Sequence, residues 1–157
     1  MRIYLRPIAL EDGTLIVKWR NTPSVREHCL NQNPITIESN ELFFHRYVET
    51  GLYQQFIVER IDEDFGVSSY PIATVYLKDI DRTNKRCELC IFTSDDQEWN
   101  TESQAIAVKM LLEKATGANS IVQDKFMTIS VNKKNVEDAR IYFSRVGADL
   151  IAHFGKL

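Results

Sequence analysis

Arg86-Cys87-Glu88-Leu89-Cys90-Ile91-Phe92-Thr93, followed after a polar connection by Ser103-Gln104-Ala105-Ile106-Ala107-Val108-Lys109-Met110-Leu111-Leu112-Glu113-Lys114-Ala115-Thr116-Gly117, is the stretch that decides the fold. The first run predicts a strand over 86–93. The second changes period. Apolar residues recur at 107, 108, 111, 112 and 115, with Lys109, Glu113 and Lys114 opposed and Gly117 as a stop, which predicts a helix over 103–116. A further strand is predicted over 125–131. A strand, a helix and a second strand in this order describe a crossover between parallel neighbours.

Upstream of residue 86, strands are predicted over 55–61 and 72–77, with polar turns at 62–69 and 79–85. Together with 86–93 they make an antiparallel meander. Residues 2–7 read as a first strand. Asp12 is placed to cap a helix carrying Leu15, Ile16 and Trp19 on one face, ended by Asn21-Thr22-Pro23, and 24–30 reads as a short helical turn. Thr36 caps a helix bearing Phe43, Phe44, Tyr47 and Val48, closed by Gly51. Downstream, 135–146 is a helix with Val136, Ala139, Phe143 and Val146 on one stripe. Glu137 and Asp138 in its first turn, and Arg140 and Arg145 later, match the helix dipole. A last strand covers 148–154. The order of elements gives an α+β (α/β) class.

The chain has 157 residues, which predicts one domain over 1–157. With 44% hydrophobic and 26% charged residues it reads as a folded chain rather than a disordered one. A net charge of −3 argues against nucleic acid as a partner, because phosphate contacts need a basic surface. No apolar run is long enough to span a bilayer, and Met1-Arg2-Ile3-Tyr4-Leu5 alternates and soon meets Pro7, unlike a signal peptide. Three Cys without a secretion signal point to free thiols in a reducing compartment. The expectation is a cytoplasmic protein with no membrane partner.

Six Gly are present and none are clustered, so there is no Walker or dinucleotide fingerprint. Trp99-Asn100-Thr101-Glu102-Ser103-Gln104 sits where a helix start can offer free N–H groups to phosphate. Taken alone it reads first as a capped helix start, with Thr101 or Ser103 as cap. Cys87 and Cys90 are three apart in a strand and face opposite sides, so neither a shared metal nor a disulfide is expected. His28, His45 and His153 lack ligand spacing. Glu41 and His45, four apart on a helix, read as a surface pair, and no metal centre is predicted. Glu88 lies mid-strand among apolar residues. It sits either on a solvated face, which the strand pattern alone favours, or in a cleft where desolvation tunes it for acid–base work. Asn135 is a natural helix cap, and Tyr142 is either a core aromatic or a proton donor.

Several local motifs recur together. They are Leu5-Arg6-Pro7, then Glu11-Asp12 and Trp19-Arg20-Asn21; Pro34-Ile35-Thr36-Ile37-Glu38 before an aromatic helix; Pro71-Ile72-Ala73-Thr74-Val75-Tyr76-Leu77; Cys87-Glu88-Leu89-Cys90-Ile91; and Val131 with Asn135, Ala139, Phe143 and Gly147. In this order, over nearly the whole chain, they resemble the GNAT superfamily of acyl-CoA-dependent N-acetyltransferases. Within it they resemble the branch that acts on ribosomal-protein N-termini and amino sugars. The resemblance implies a central mixed, mostly antiparallel sheet flanked by helices. It also implies direct transfer of acetyl from acetyl-CoA to a primary amine, an amino sugar or a protein N-terminus, so that the partner is a small-molecule or peptide acceptor.

By the same resemblance, Glu88 falls where many members carry the general base. The family's tyrosine that protonates the departing thiolate falls on Tyr142 when counted from Asn135 and on Phe143 when counted back from Gly147. The cofactor cradle falls on the strand at Cys90, Ile91 and Phe92 and on Trp99, Asn100, Thr101, Glu102, Ser103 and Gln104, with Asn135 and Phe143 beside it. The family motif Q/R-x-x-G-x-G/A meets Glu102 and Gln104 here where glycines are usual. A carboxylate ~6 Å from a phosphate charge at an effective dielectric of ~20 costs roughly 3 kcal/mol, about a hundredfold in affinity. The chain also stops at Leu157, one strand short of the family's last, which leaves an edge that a homodimer can cover. These departures define the alternative, a catalytically lapsed binding or assembly domain on the same fold.

Overall fold

The computed structural model describes residues 2–64, 66, 68–84, 86–94, 99–116 and 128–130. Strand β1 is Arg2–Pro7, β2 Gln54–Asp62, β3 Ser68–Asp81, β4 Arg86–Thr93 and β5 Thr128–Ser130. They form one sheet in the order β1-β2-β3-β4-β5. The first four pair antiparallel in succession, and β4 pairs parallel with β5. Helix α4, Thr101–Thr116, supplies the crossover between the parallel pair. This is the mixed, mostly antiparallel sheet and the crossover that the periodicity predicts.

Both faces of β3 are covered. Ile72, Ala73, Thr74, Val75 and Leu77 expose 0% of their surface. On one face Ile3, Val58, Val75, Leu77 and Cys87 pack against Ala107 and Leu111 of α4, with Trp99 at its foot. The two α4 residues are four apart and so share a face. On the other face Ile57 packs with Ile16 and Trp19 of α1, Gly13–Arg20, and Phe92 joins them. The polar groups on this face are satisfied. The Gln55 amide donates to Thr74 Oγ1 at 3.0 Å, and the Thr74 hydroxyl donates to the Phe56 carbonyl at 2.9 Å.

Strand β3 is longer than the predicted 72–77 and takes up residues read as turns on either side. Two bulges shape it. Val58 faces Ala73 and Glu59 faces Pro71, so Ile72 is an extra residue. Lys78 faces Glu88 while Asp81 faces Arg86, so β3 carries a second extra residue there, beside Asp79 at φ +49°. Aspartate is among the few side chains that accept this left-handed conformation readily.

Ahead of β2, α2 is Pro23–Arg26 and α3 is Ile37–Phe43, which runs on into a π-helical turn at Phe44–Val48. Thr36 caps α3 as predicted, accepting the Ser39 N–H at 3.1 Å. Asp12 behaves differently from the expectation. It gives α1 no side-chain cap; a 3-10 turn, Leu10–Asp12, leads into the helix instead. Its carboxylate reaches back to accept the Ala9 N–H at 2.8 Å and a two-pronged Arg6 contact at 2.7 and 2.8 Å. Arg6 Nε meanwhile donates to the buried Glu59 at 2.7 Å. A charged partner in bidentate geometry is a stronger claim on the carboxylate than an exposed helix N–H. The predicted helix 135–146 and strand 148–154 lie outside the described residues.

Burial acts to raise the Asp12 carboxyl, but the Arg6 hydrogen bonds, the Ala9 N–H and the Arg6 charge together outweigh it and hold it below its ordinary value. A carboxyl depressed in the folded state contributes stability that is present above its unfolded value and is lost as pH falls through its folded one. Asp12→Asn is therefore expected to lower stability at pH 7 by about 1–3 kcal/mol. The gap to the parent chain should narrow as pH drops below about 4, as read by urea unfolding at a series of pH values.

Candidate active site

Strand alternation puts Glu88, Cys90 and Phe92 on the α1 side of β4, opposite Lys78, Tyr76 and Thr74 of β3. Lys78 Nζ lies 3.1 Å from Glu88 Oε1, and the two side chains are 21% and 26% exposed. The Cys90 thiol donates toward the same oxygen at 3.7 Å. Oε1 thus holds both contacts, and Oε2 has no partner among the described residues. The strand pattern favours a solvated Glu88. The carboxylate is instead half-buried and ion-paired, because the even β3–β4 register sets Lys78 directly across from it, one step before the bulge.

A row of rings leads to this carboxylate. Tyr76 meets Phe92 edge-on at 6.2 Å and stacks with Tyr53 at 6.1 Å and 13°. Tyr53 in turn touches Tyr47 at 4.9 Å and Phe43 at 5.2 Å. The row therefore joins α3 and its π turn to β4 across β2 and β3. Burial pushes the Tyr76 phenol well up, and the neighbouring Cys90 adds to this. Burial, then the Glu88 charge, pushes the Cys90 thiol up to about 12. Burial would lower Lys78, but Cys90 and Glu88 beside it keep it above its ordinary value. At neutral pH Tyr76 thus stays a phenol, Cys90 a thiol and Lys78 an ammonium.

Cys87 and Ile91 point to the opposite face and pack into the α4 core, as three-residue spacing in a strand requires. Burial pushes the Cys87 thiol up to about 11. All three cysteines are free. Among the described residues no group of three or more His, Cys, Asp or Glu is arranged to hold a metal ion. His45 pairs with Glu49, at 2.9 Å, rather than with Glu41, since the wider π turn sets Glu49 beside it.

The start of α4 is capped by Asn100, not by Thr101 or Ser103. Asn100 Oδ1 accepts the N–H groups of Glu102 at 3.0 Å and Ser103 at 3.1 Å. Ser103 Oγ accepts the Asn100 N–H at 2.9 Å, which completes a reciprocal box. Three of the four residues 100–103 are capable of capping, and the one whose partner stands three places on prevails. Ser103 is fully buried, Gln104 half-buried, and Glu102 exposed. Thr101 is the first residue of the helix. Trp99 is 7% exposed, and its indole Nε1 has no hydrogen-bond partner among the described residues. Asn135, Tyr142 and Phe143 lie outside the described residues.

No family model matches the chain, and no curated protein matches it. Solved structures do. The spermidine N-acetyltransferase of Vibrio cholerae, in complex with CoA and spermine, superposes with a TM-score of 0.69 at 15% identity, covering 90% of this chain and 78% of that one. A domain from Methanocaldococcus jannaschii gives 0.70 at 14% identity, covering 92% and 86%. The chain therefore shares the overall fold of these structures, a mixed sheet flanked by helices. No helix among the described residues is long and apolar enough to cross a membrane.

Two outcomes follow from these contacts. Cys87 and Cys90 should alkylate at pH 7.5 more than tenfold slower in the folded chain than in urea, as followed by mass spectrometry, because burial keeps both as thiols. Asn100→Ala should cost about 1 kcal/mol in thermal or urea unfolding.

Proposed function

We propose that the chain acts as one domain over 1–157 and transfers acetyl from acetyl-CoA to a primary aliphatic amine. The observation that carries this reading is the Glu88 carboxylate. Lys78 and Cys90 hold one of its oxygens while the other has no partner among the described residues, on the strand that also pairs parallel with β5. An ammonium cannot attack a thioester until it loses a proton. Glu88 Oε2 takes that proton, directly or through a water. The freed nitrogen pair forms the C–N bond as the C–S bond breaks. The thiolate then takes a proton, and Tyr142 is the donor in this reading, since Phe143 has none to give; the nitrogen sheds its second proton as the amide forms, and that proton restores the Tyr142 phenol through water. An amino sugar or a protein N-terminus is the acceptor that the sequence resemblance proposes.

The backbone at Cys90, Ile91 and Phe92 and the α4 start would hold the cosubstrate. Phosphate there must take the place of the Asn100 side chain, whose cap is worth about 1 kcal/mol. That is small beside the roughly 8 kcal/mol of a micromolar complex. Glu102 is exposed and turns its charge into water, so the full repulsion argued from the sequence does not apply. The same two residues favour a second reading, in which the helix start is closed to phosphate and the domain binds or assembles without catalysis. A homodimer through the C-terminal sheet edge belongs to that reading.

Calorimetry with acetyl-CoA separates the two. Micromolar binding supports transfer, and no binding at millimolar cosubstrate in folded protein leaves the second reading. Given binding, Glu88→Gln should lower kcat/KM by about 10²–10⁴ with affinity for acetyl-CoA unchanged. Turnover with the same pH profile as the parent chain would remove Glu88 from the role of base. Glu102→Gln should tighten acetyl-CoA binding, and by less than about a hundredfold.

A further inference from the structure

Among the described residues, Lys78 is the one that sets a full positive charge against Glu88, with Nζ 3.1 Å from Oε1. The two stand at the last even step of the β3–β4 register, where facing Cβ atoms lie about 5 Å apart. The Lys78 side chain is only 21% exposed, so it lies along the sheet instead of reaching into water.

Stability alone gives little reason for such a pair. Ion pairs add little where water competes with them and lose much of their gain to desolvation where it does not. What this pair supplies is orientation. A carboxylate turns readily about its last bond. Lys78 Nζ, at 3.1 Å, and Cys90 Sγ, at 3.7 Å, converge on Oε1 and oppose that turning, which leaves Oε2 facing one way. The two holders are unequal. Burial, then the Glu88 charge, keeps Cys90 a neutral thiol and so a weak donor. Lys78 brings the charge. Burial would lower it, but Cys90, Glu88 and, least of all, Asp79 keep it above its ordinary value. It is already an ammonium and cannot itself take a proton from an acceptor. Tyr53 and Tyr76, the other titratable groups beside it, are raised and stay neutral. None of these neighbours can replace its charge.

We infer that Lys78 is a positioning residue for the proposed transfer: it pins Glu88 Oε1 and supplies the positive charge beside it, so that Oε2 is the oxygen that meets the acceptor nitrogen. The inference rests on the acetyl-transfer reading. Lys78 touches neither acceptor nor cosubstrate in it and acts through Glu88 alone.

Lys78→Met keeps most of the length of the side chain and removes its charge. It is expected to lower kcat/KM by roughly 10–100-fold, with acetyl-CoA affinity by calorimetry unchanged. The acid limb of the kcat/KM profile should move to higher pH, because a carboxylate that loses a neighbouring cation takes up protons more readily. Lys78→Arg keeps the charge and the donors and should recover most of the loss and the parent profile. In a Glu88→Gln background, Lys78→Met should change kcat/KM by less than about twofold, since a residue acting through Glu88 has nothing left to act on. Equal losses in both backgrounds, or an acid limb that stays in place, would make Lys78 a structural residue and overturn the inference. Full turnover by Glu88→Gln alone would instead remove the base reading. The coupling is also read without cosubstrate, from the carboxyl ¹³C resonance of Glu88. It should titrate at higher pH in Lys78→Met than in the parent chain or Lys78→Arg. Identical titrations would overturn the role of Lys78 even in a chain that transfers nothing.

Discussion

Water reaches neither face of β3 over residues 72–75, and that constraint arranges the rest of the molecule. A strand whose side chains are buried on both sides needs a layer above and a layer below. Helix α4 supplies one through Ala107 and Leu111, and α1 the other through Ile16 and Trp19. Neither layer is dispensable, because removing either would open one whole row of buried side chains. The buried Thr74 hydroxyl is tolerated because Gln55 and the Phe56 carbonyl satisfy it.

The same strand also sets the chemistry at its far end. Without the extra residue near Asp79, pairing would continue in even steps toward the hairpin. The bulge falls just past the Lys78–Glu88 pair and absorbs the mismatch as the chain turns back. It also lifts Asp79 out of strand alternation to the rim beside Tyr53. Bulges commonly re-aim side chains in this way.

What the sequence discloses depends on the range over which each feature is decided. The meander and the α4 crossover are legible because alternation and helical period are local and repeated. The Thr36 cap is legible because its partner Ser39 is three residues away. The role of Asp12 is not, because its strongest partners, Arg6 and through it Glu59, are brought near only by strand pairing. The π turn at Phe44–Val48 leaves no mark in the apolar pattern. Within the site, the position of Glu88 is legible, and its face follows from alternation. Its partner Lys78 is not, since cross-strand register is fixed by the pairing of two separate segments and neither residue type announces it. A Lys and a Glu flanking a polar turn were the available signal. Asn100 prevails over Thr101 and Ser103 through a reciprocal contact that a ranking of cap residues does not contain.

The chain has two tryptophans, and the fold places them apart. Trp19 belongs to the core under α1, and Trp99 to the core under α4. Each layer therefore carries its own fluorophore, shielded from solvent, with the sheet between them. Emission from a chain keeping only one of the two would report on one side of β3 alone. The sequence has in this way equipped the protein with an optical means of asking whether its two halves come apart together or in turn.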